Sequence, residues 1–291
     1  MTPTNQNLDG SGKLAVINAD DLGFSPGVTE GIFRAHREGI VTSTTLAANM
    51  PHAAEAVGQA GDYPDLGVGV HLNISQGPAL SEAGRRKLAG PDGQMNRTAM
   101  QVVGAVASRP WLLKAVTAEF DAQIRRALEL GLRPTHLDSH RHSHGFPPIF
   151  NCVAALARRY AIPFVRRLGE HLPGRRRDWP AAPAKQRRNS RVLNVFGAVN
   201  ARRHPGLCRC SGTWGVQHTG YIDADWLIRV ADRLPVGATE IMVHPGSGDD
   251  LDGGLTRLRQ CRQVELAALC DPAVAEAFDR AGIERTHYGR L

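Results

Sequence analysis

The sequence predicts an α/β protein, a distorted TIM-like (β/α) barrel with parallel strands inside and helices outside. Three observations point there. Short apolar runs of strand length alternate with amphipathic stretches of helix length along most of the chain. The runs are continuous rather than alternating, as expected of strands covered on both faces. Polar clusters follow those runs directly, at the carboxyl ends of the strands, where α/β folds build ligand sites. About six or seven strand–helix units follow one another with no linker. One domain over 13–291 is therefore expected, preceded by a disordered leader at 1–12. An open parallel sheet is the alternative closure.

Each element has a local reason. In "KLAVINADDLGFS" the apolar run at 14–17 is a buried strand that ends in Asn18-Ala19-Asp20-Asp21. In "SPGVTEGIFRAHREGI", Ser25 can cap, Pro26 suits the first helical position, and Val28, Ile32 and Ala35 form an apolar stripe. "VTSTTLAAN" is rich in β-branched residues and reads as a strand. "PHAAEAVGQAG" is the next helix and "LGVGVHLNIS" the third strand. An amphipathic helix over 115–130 leads into "THLDSHRHSH", a strand with its exit loop. "PPIFNCVAALARRYA" is a helix and "IPFVR" a strand. "DADWLIRVADRL" and "ATEIMVHPG" form the last clear helix and strand.

Composition narrows the classes. The chain has 291 residues, 42% hydrophobic and 22% charged, so it can bury an ordinary core. No run reaches the 18 or so apolar residues of a membrane span. The first residues lack the basic and apolar regions of a secretory signal, so a cytoplasmic location is expected. Cys152, Cys208, Cys210, Cys261 and Cys270 are odd in number and scattered, which reads as free thiols rather than a disulfide framework. The net charge of +7 is concentrated in an arginine-rich stretch over 158–209. That stretch reads as a solvated, loop-rich insertion at about 167–211, or as a surface for an anionic membrane, nucleic acid or acidic substrate. Nucleic acid is not indicated, because spaced aromatics are lacking.

Four polar clusters carry candidate chemistry. "NADD" offers Asp20 and Asp21, which an ideal strand would point to opposite faces and a bent strand end could bring to one cavity. His71 and Asn73 follow the third strand. In "THLDSHRHSHG", His136, Asp138, His140, His142 and His144 alternate, so a straight strand would place four histidines on one face. Same-face neighbours lie about 6.6 Å apart, whereas a metal–nitrogen bond is about 2.1 Å. One ligand is therefore expected from this stretch, oriented by Asp138 or another histidine. His244 in "IMVHPG" sits at a strand exit, where a histidine can act as a general acid near neutral pH. One Asp and two His ligands would leave open positions on a metal ion, as amide or ester hydrolysis needs. The chain has no G-x-S-x-G elbow, no P-loop and no H-E-x-x-H, so serine hydrolase, P-loop enzyme and zincin are not supported.

The stretches "VINADDLGFSPGVTEGI", "GIVTSTTLAANMP", "LGVGVHLNISQGPAL", "PTHLDSHRHSHGFPPIF", "IPFVR" and "TEIMVHPG" resemble, in order, the YdjC-like (ChbG/HpnK) carbohydrate deacetylase family. The "QHTG" region resembles its hopanoid-associated branch. The resemblance implies a barrel of the polysaccharide-deacetylase type and a metal-dependent N-deacetylase. It further implies Asp21, His71 and His140 as ligands of one divalent ion, Mg²⁺ or Zn²⁺. Asp20 would be the base, His244 the group that assists the leaving amine, and Arg166 the arginine that positions Asp20. His218 becomes a candidate substrate contact, beside Asn73, Asp138, His142 and His144 as pocket or supporting residues. His140 is expected to have Asp138 as its partner. The basic insertion departs from the family pattern.

The expected function is hydrolysis of the N-acetyl group of an acetylated amino sugar, as oligosaccharide or glycolipid, releasing acetate. A lipid-linked substrate, peripheral membrane contact and a homodimer are all compatible with it. The alternative is a non-catalytic protein that uses the arginine-rich segment to bind anionic lipid or nucleic acid, with a structural metal.

Overall fold

The structure, a computed structural model, describes residues 12–251 and 256–291. The leader expected at 1–12 therefore lies outside the described residues, save its last position. The strands are β1 (Lys13–Leu22), β2 (Ser43–Leu46), β3 (Gly67–Leu72), β4 (Gln76–Pro78), β5 (Gln94–Asn96), β6 (His136–Ser139), β7 (Phe164–Val165), β8 (Thr213–Trp214), β9 (Gly237–Val243) and β10 (Ile283–Thr286). The helices are α1 (Pro26–Arg37), α2 (Ala53–Ala60), α3 (Glu82–Lys87), α4 (Ala99–Ser108), α5 (Leu112–Glu129), α6 (Pro147–Arg159), α7 (Ala184–Arg203), α8 (Ala224–Arg233), α9 (Gln260–Leu269) and α10 (Pro272–Arg280).

The main sheet runs β7-β6-β3-β2-β1-β9-β8 with every pair parallel. β1 shares one edge between two partners. Residues 13–16 pair with β10, and residues 18–22 pair with β2. Curling brings the two ends of the sheet together. Thr213 Oγ1 donates to the Arg167 carbonyl across the gap at 2.8 Å. Gly212 packs so closely on Gly169 that a Cβ would stand 1.8 Å from its carbonyl oxygen. The expected distorted barrel is what the chain forms, closed at this seam by a side chain and two glycines rather than by a strand ladder.

Helices seal the outside through apolar faces. Phe120 on α5, Phe150 on α6, Trp226 on α8 and Phe278 on α10 are all within 1% of full burial. Truncating one such ring to alanine would cost about 3–5 kcal/mol. Ser25 caps α1 by accepting from the Val28 N–H, and Pro26 opens it. At the amino ends of the strands, Tyr288 enters the barrel, stacks on His136 with ring centroids 4.0 Å apart, and donates to Glu240 at 2.8 Å. Gly69 must lack a side chain there, since its Cβ would meet the His136 ring at 2.6 Å.

The basic insertion is not loop-rich throughout. α7 occupies 20 residues of it. Its alanines, arginines, lysine and glutamine are strong helix formers, and the mixed polarity hides them from a search for apolar periodicity. No helix of the described residues is long and apolar enough to cross a membrane.

Candidate active site

Asp20 and Asp21 both come close to His71 because β1 does not stay regular. Its register against β2 shifts between Ala19 and Leu22, and Asp21 has φ +77°. A bulge with one left-handed residue turns the second carboxylate back to the side of the first. Both are buried.

Asp21 meets two histidines. Its Oδ1 lies 3.4 Å from His71 Nε2 and 3.2 Å from His140 Nδ1. Neighbouring donors around an ion with bonds of about 2.1 Å lie about 3.0–3.4 Å apart in octahedral or tetrahedral shells. The three atoms therefore fit a single cation. Each imidazole is aimed by a bond at its other nitrogen. His71 Nδ1 donates to Asp138 Oδ1 at 2.7 Å, and His140 Nε2 donates to Gln76 Oε1 at 2.8 Å. A second group, Asp20, His71 and Asp138, is also close enough to hold an ion. Its two carboxylates are already bridged by Arg166, so the first group has the better claim.

Arg166, at the end of β7, is fully buried among three carboxylates. It grips Asp20 with both terminal nitrogens at 2.6 and 2.8 Å, Asp138 at 2.8 Å, and Glu240 at 2.8 Å. Burial works against its charge, but Asp138, Asp20 and Glu240 raise its pKa well above the usual value. Burial likewise raises Asp20, yet Arg166, with His71 and His244, holds that carboxyl well below the ordinary range. Burial also opposes ionisation of Asp21, and Arg262 with the two histidines lowers it. For His71, burial is outweighed by Asp138, Asp20 and Asp21, and its pKa rises to about 10. Burial dominates at His140, whose pKa falls despite Asp21.

His244 lies at the end of β9. Its backbone N–H donates to Glu265 at 2.6 Å, and its ring Nδ1 has no hydrogen-bond partner. The loop beyond it is fixed by Gly246 packed against Gly31, where a Cβ on Gly31 would come within 2.2 Å. Burial pushes His244 down to about 4 against the pull of Asp20 and Asp21. Desolvation exceeds the attraction of the carboxylates and favours the neutral ring.

The histidine-rich stretch divides by position. β6 stops at Ser139, and Arg141 and His142 then take left-handed conformations, φ 53° and 57°. This turn parts the histidines that a straight strand would align. His136 lies beneath the site against Tyr288. His140 joins Asp21. His142 is half-buried beside the site, its pKa pushed down to about 3 by burial and by Arg166. His144 does not line the cavity, as was expected of it. It is buried, bonded to Ser139 Oγ at 2.6 Å and to the Arg166 carbonyl at 3.3 Å.

Two further expectations change, and a third residue lies outside the cluster. Asp138 partners His71 rather than His140, because β3 and β6 pair with His71 opposite Asp138, while same-face residues of one strand are too far apart. Asn73 is an internal brace. Its Oδ1 accepts from the Ser75 and Gln76 N–H groups, which shapes the loop that presents Gln76 to His140. His218, expected as a substrate contact, does not join this cluster and bonds the Pro180 carbonyl at 3.1 Å.

Residues that the sequence did not disclose complete the site. Arg262, from α9, bonds Asp21 Oδ2 and is fully buried. Nothing local marks it. Glu240 was visible as an acid inside an apolar strand, a pattern that burial makes costly unless the charge is paired. Thr45, on β2, touches both His71 and Asp138 at 3.2 Å.

The chain is similar to known proteins over most of its length. Residues 14–280 match the family described as YdjC-like protein. A carbohydrate deacetylase of Geobacillus stearothermophilus is 32% identical over 95% of this chain and 97% of its own length. One of Clostridium beijerinckii is 35% identical over 94% of this chain and 98% of its own. A solved structure from Enterococcus faecalis V583, provisionally assigned to cellobiose-phosphate cleavage, superposes with a TM-score of 0.74 at 26% identity. It covers 96% of this chain and 98% of that one.

Proposed function

The chain belongs to the YdjC-like family, and on that premise we propose that it is a carbohydrate deacetylase that hydrolyses the N-acetyl group of an amino sugar with the help of one divalent ion. The observation that carries the reading is the convergence of Asp21, His71 and His140 on one point, beside an ionised Asp20 locked to Arg166. Relatives named carbohydrate deacetylase, alike over nearly their whole length, support it.

Asp21, His71 and His140 would hold the ion, whose chemistry when bound is to polarise a carbonyl oxygen and acidify a water. The mixed oxygen and nitrogen donor set suits Zn²⁺ or Mg²⁺. Asp20 keeps its carboxylate ionised and oriented, with Arg166 on both oxygens and Asn18 Nδ2 on Oδ1 at 2.9 Å. It accepts the proton that water loses on attacking the amide carbon. The amine released when the C–N bond breaks needs one proton, and the proton held on Asp20 balances the reaction. His244, neutral at rest with a bare Nδ1, is the group we assign to pass it on. The products are acetate and the free amino sugar.

The test is acetate release from N-acetylated oligosaccharides and glycolipids. Release should vanish with a chelator, return with added ion, and be lost in Asp20→Asn and His140→Ala. Undiminished release in both variants, each checked for folding by circular dichroism, would sink the mechanism.

A further inference from the structure

A cavity of about 930 Å³ lies in the arm formed by residues 167–219. It stands on the same end of the barrel as the candidate active site. Arg166, at the centre of that site, and Glu170, on the cavity wall, are four residues apart, a span of at most about 14 Å. The wall is braced against the barrel. Trp179 packs on Trp214 and Trp226 with ring centroids 6.0 and 6.3 Å away, and its Nε1 donates to the Pro173 carbonyl at 2.9 Å.

The polar groups lining this cavity fall into two sets. One set is satisfied internally. Glu170 accepts from the Gly215 and Gln217 N–H groups at 2.8 Å each and from Ser190 at 3.0 Å, and Asn194 clasps the Glu170 backbone. The other set has capacity left. Arg175, Arg177, Arg187 and Arg191 line the cavity, and none pairs with a carboxylate among the described residues. Arg187 is tied only to the Ala182 carbonyl. His218 is 1% exposed, and its Nδ1 is buried without a partner. Since its Nε2 donates to the Pro180 carbonyl, Nδ1 bears a lone pair and can accept from a hydroxyl.

We infer that this cavity is a subsite for an acidic saccharide: the arginines take an anionic oxygen cluster, phosphate or carboxylate, and His218 Nδ1 takes a sugar hydroxyl. Guanidinium groups match both anions in planar, two-point geometry. Four of them outweigh the one carboxylate, whose oxygens are turned to internal donors. The anion and the acetamido group would then lie on different units or ends of one substrate, the anion in this cavity and the acetamido group at the candidate active site. Anion binding stands on the cavity alone. Its link to the acetylated sugar rests on the deacetylase reading.

Calorimetry with the full chain at low salt tests this, with three probes: N-acetylglucosamine 1-phosphate, a disaccharide of N-acetylglucosamine and glucuronic acid, and a neutral N-acetylglucosamine disaccharide. The acidic probes should bind at least tenfold tighter than the neutral one. Arg177→Gln/Arg191→Gln should cut that preference about tenfold, and added salt should weaken it. His140→Ala should keep it. The two acidic probes tell phosphate from carboxylate. No binding of either, or equal weakening of acidic and neutral probes by the arginine changes, overturns the subsite. Deacetylation of neutral sugars with no acidic preference would remove the subsite and leave the enzyme. Acidic binding without deacetylation would do the reverse.

Discussion

The barrel mouth and the basic arm treat charge in opposite ways. At the mouth, Arg166, Arg262, Asp20, Asp21, Asp138 and Glu240 are all buried, and each is paired within a bond length or two of the next. In the arm, the arginines of the cavity reach toward solvent and have no acidic partners among the described residues. Buried pairs fix geometry, because removing one member leaves an uncompensated charge in a low dielectric. Solvated charges fix little, and remain available to a ligand that arrives later. The mouth is built to hold atoms in place, and the arm to attract.

The contrast can be broken most sharply by substitution at the same residue type. Arg166→Met should cost about 3–5 kcal/mol of stability in urea unfolding, because three buried carboxylates lose their counter-charge. Arg177→Ala should stay within about 0.5 kcal/mol. Equal losses would end the comparison. Next in size is Asp20→Asn, which should lower kcat about 10²–10⁴-fold as a base is lost, with a smaller change in stability than Arg166→Met.

Metal affinity should depend on pH at the mouth. His71, whose pKa its carboxylate neighbours raise to about 10, must release its Nε2 proton to become a ligand. Apparent affinity should therefore rise about tenfold per pH unit between pH 6 and 8, measured by competition with a chelating dye. Asp138→Asn, which removes the main source of that raised pKa, should flatten the slope.

The smallest effect concerns the arm. Burial raises Glu170 from 4.5 to about 7, the nearby N–H and hydroxyl donors notwithstanding. Between those values the folded chain holds a proton that the unfolded chain has lost, so this contribution to stability is full below about 4.5 and fades as pH rises to about 7. Glu265, raised to about 7 by burial, acts in the same window. Glu170→Gln should reduce the decline of unfolding free energy over that range. An unchanged slope would mean that Glu170 is more hydrated than its burial implies.

By itself the sequence determined the parallel α/β architecture, because apolar runs such as those in β1, β3 and β9 are local signals of strands covered on both faces. It also determined which polar residues stand at the strand ends, since a run that stops at Asp20, His71, His140 or His244 states its own boundary. Tertiary structure alone decided the partnerships. Asp138 serves His71 through the β3–β6 register. Arg262 reaches Asp21 across 241 positions of chain. His136 lies beneath the site against Tyr288, and His144 is carried past the left-handed turn after β6 to Ser139. The lowered pKa of His244 was likewise out of reach of the sequence, since desolvation is a property of everything packed around a ring and not of the residues beside it.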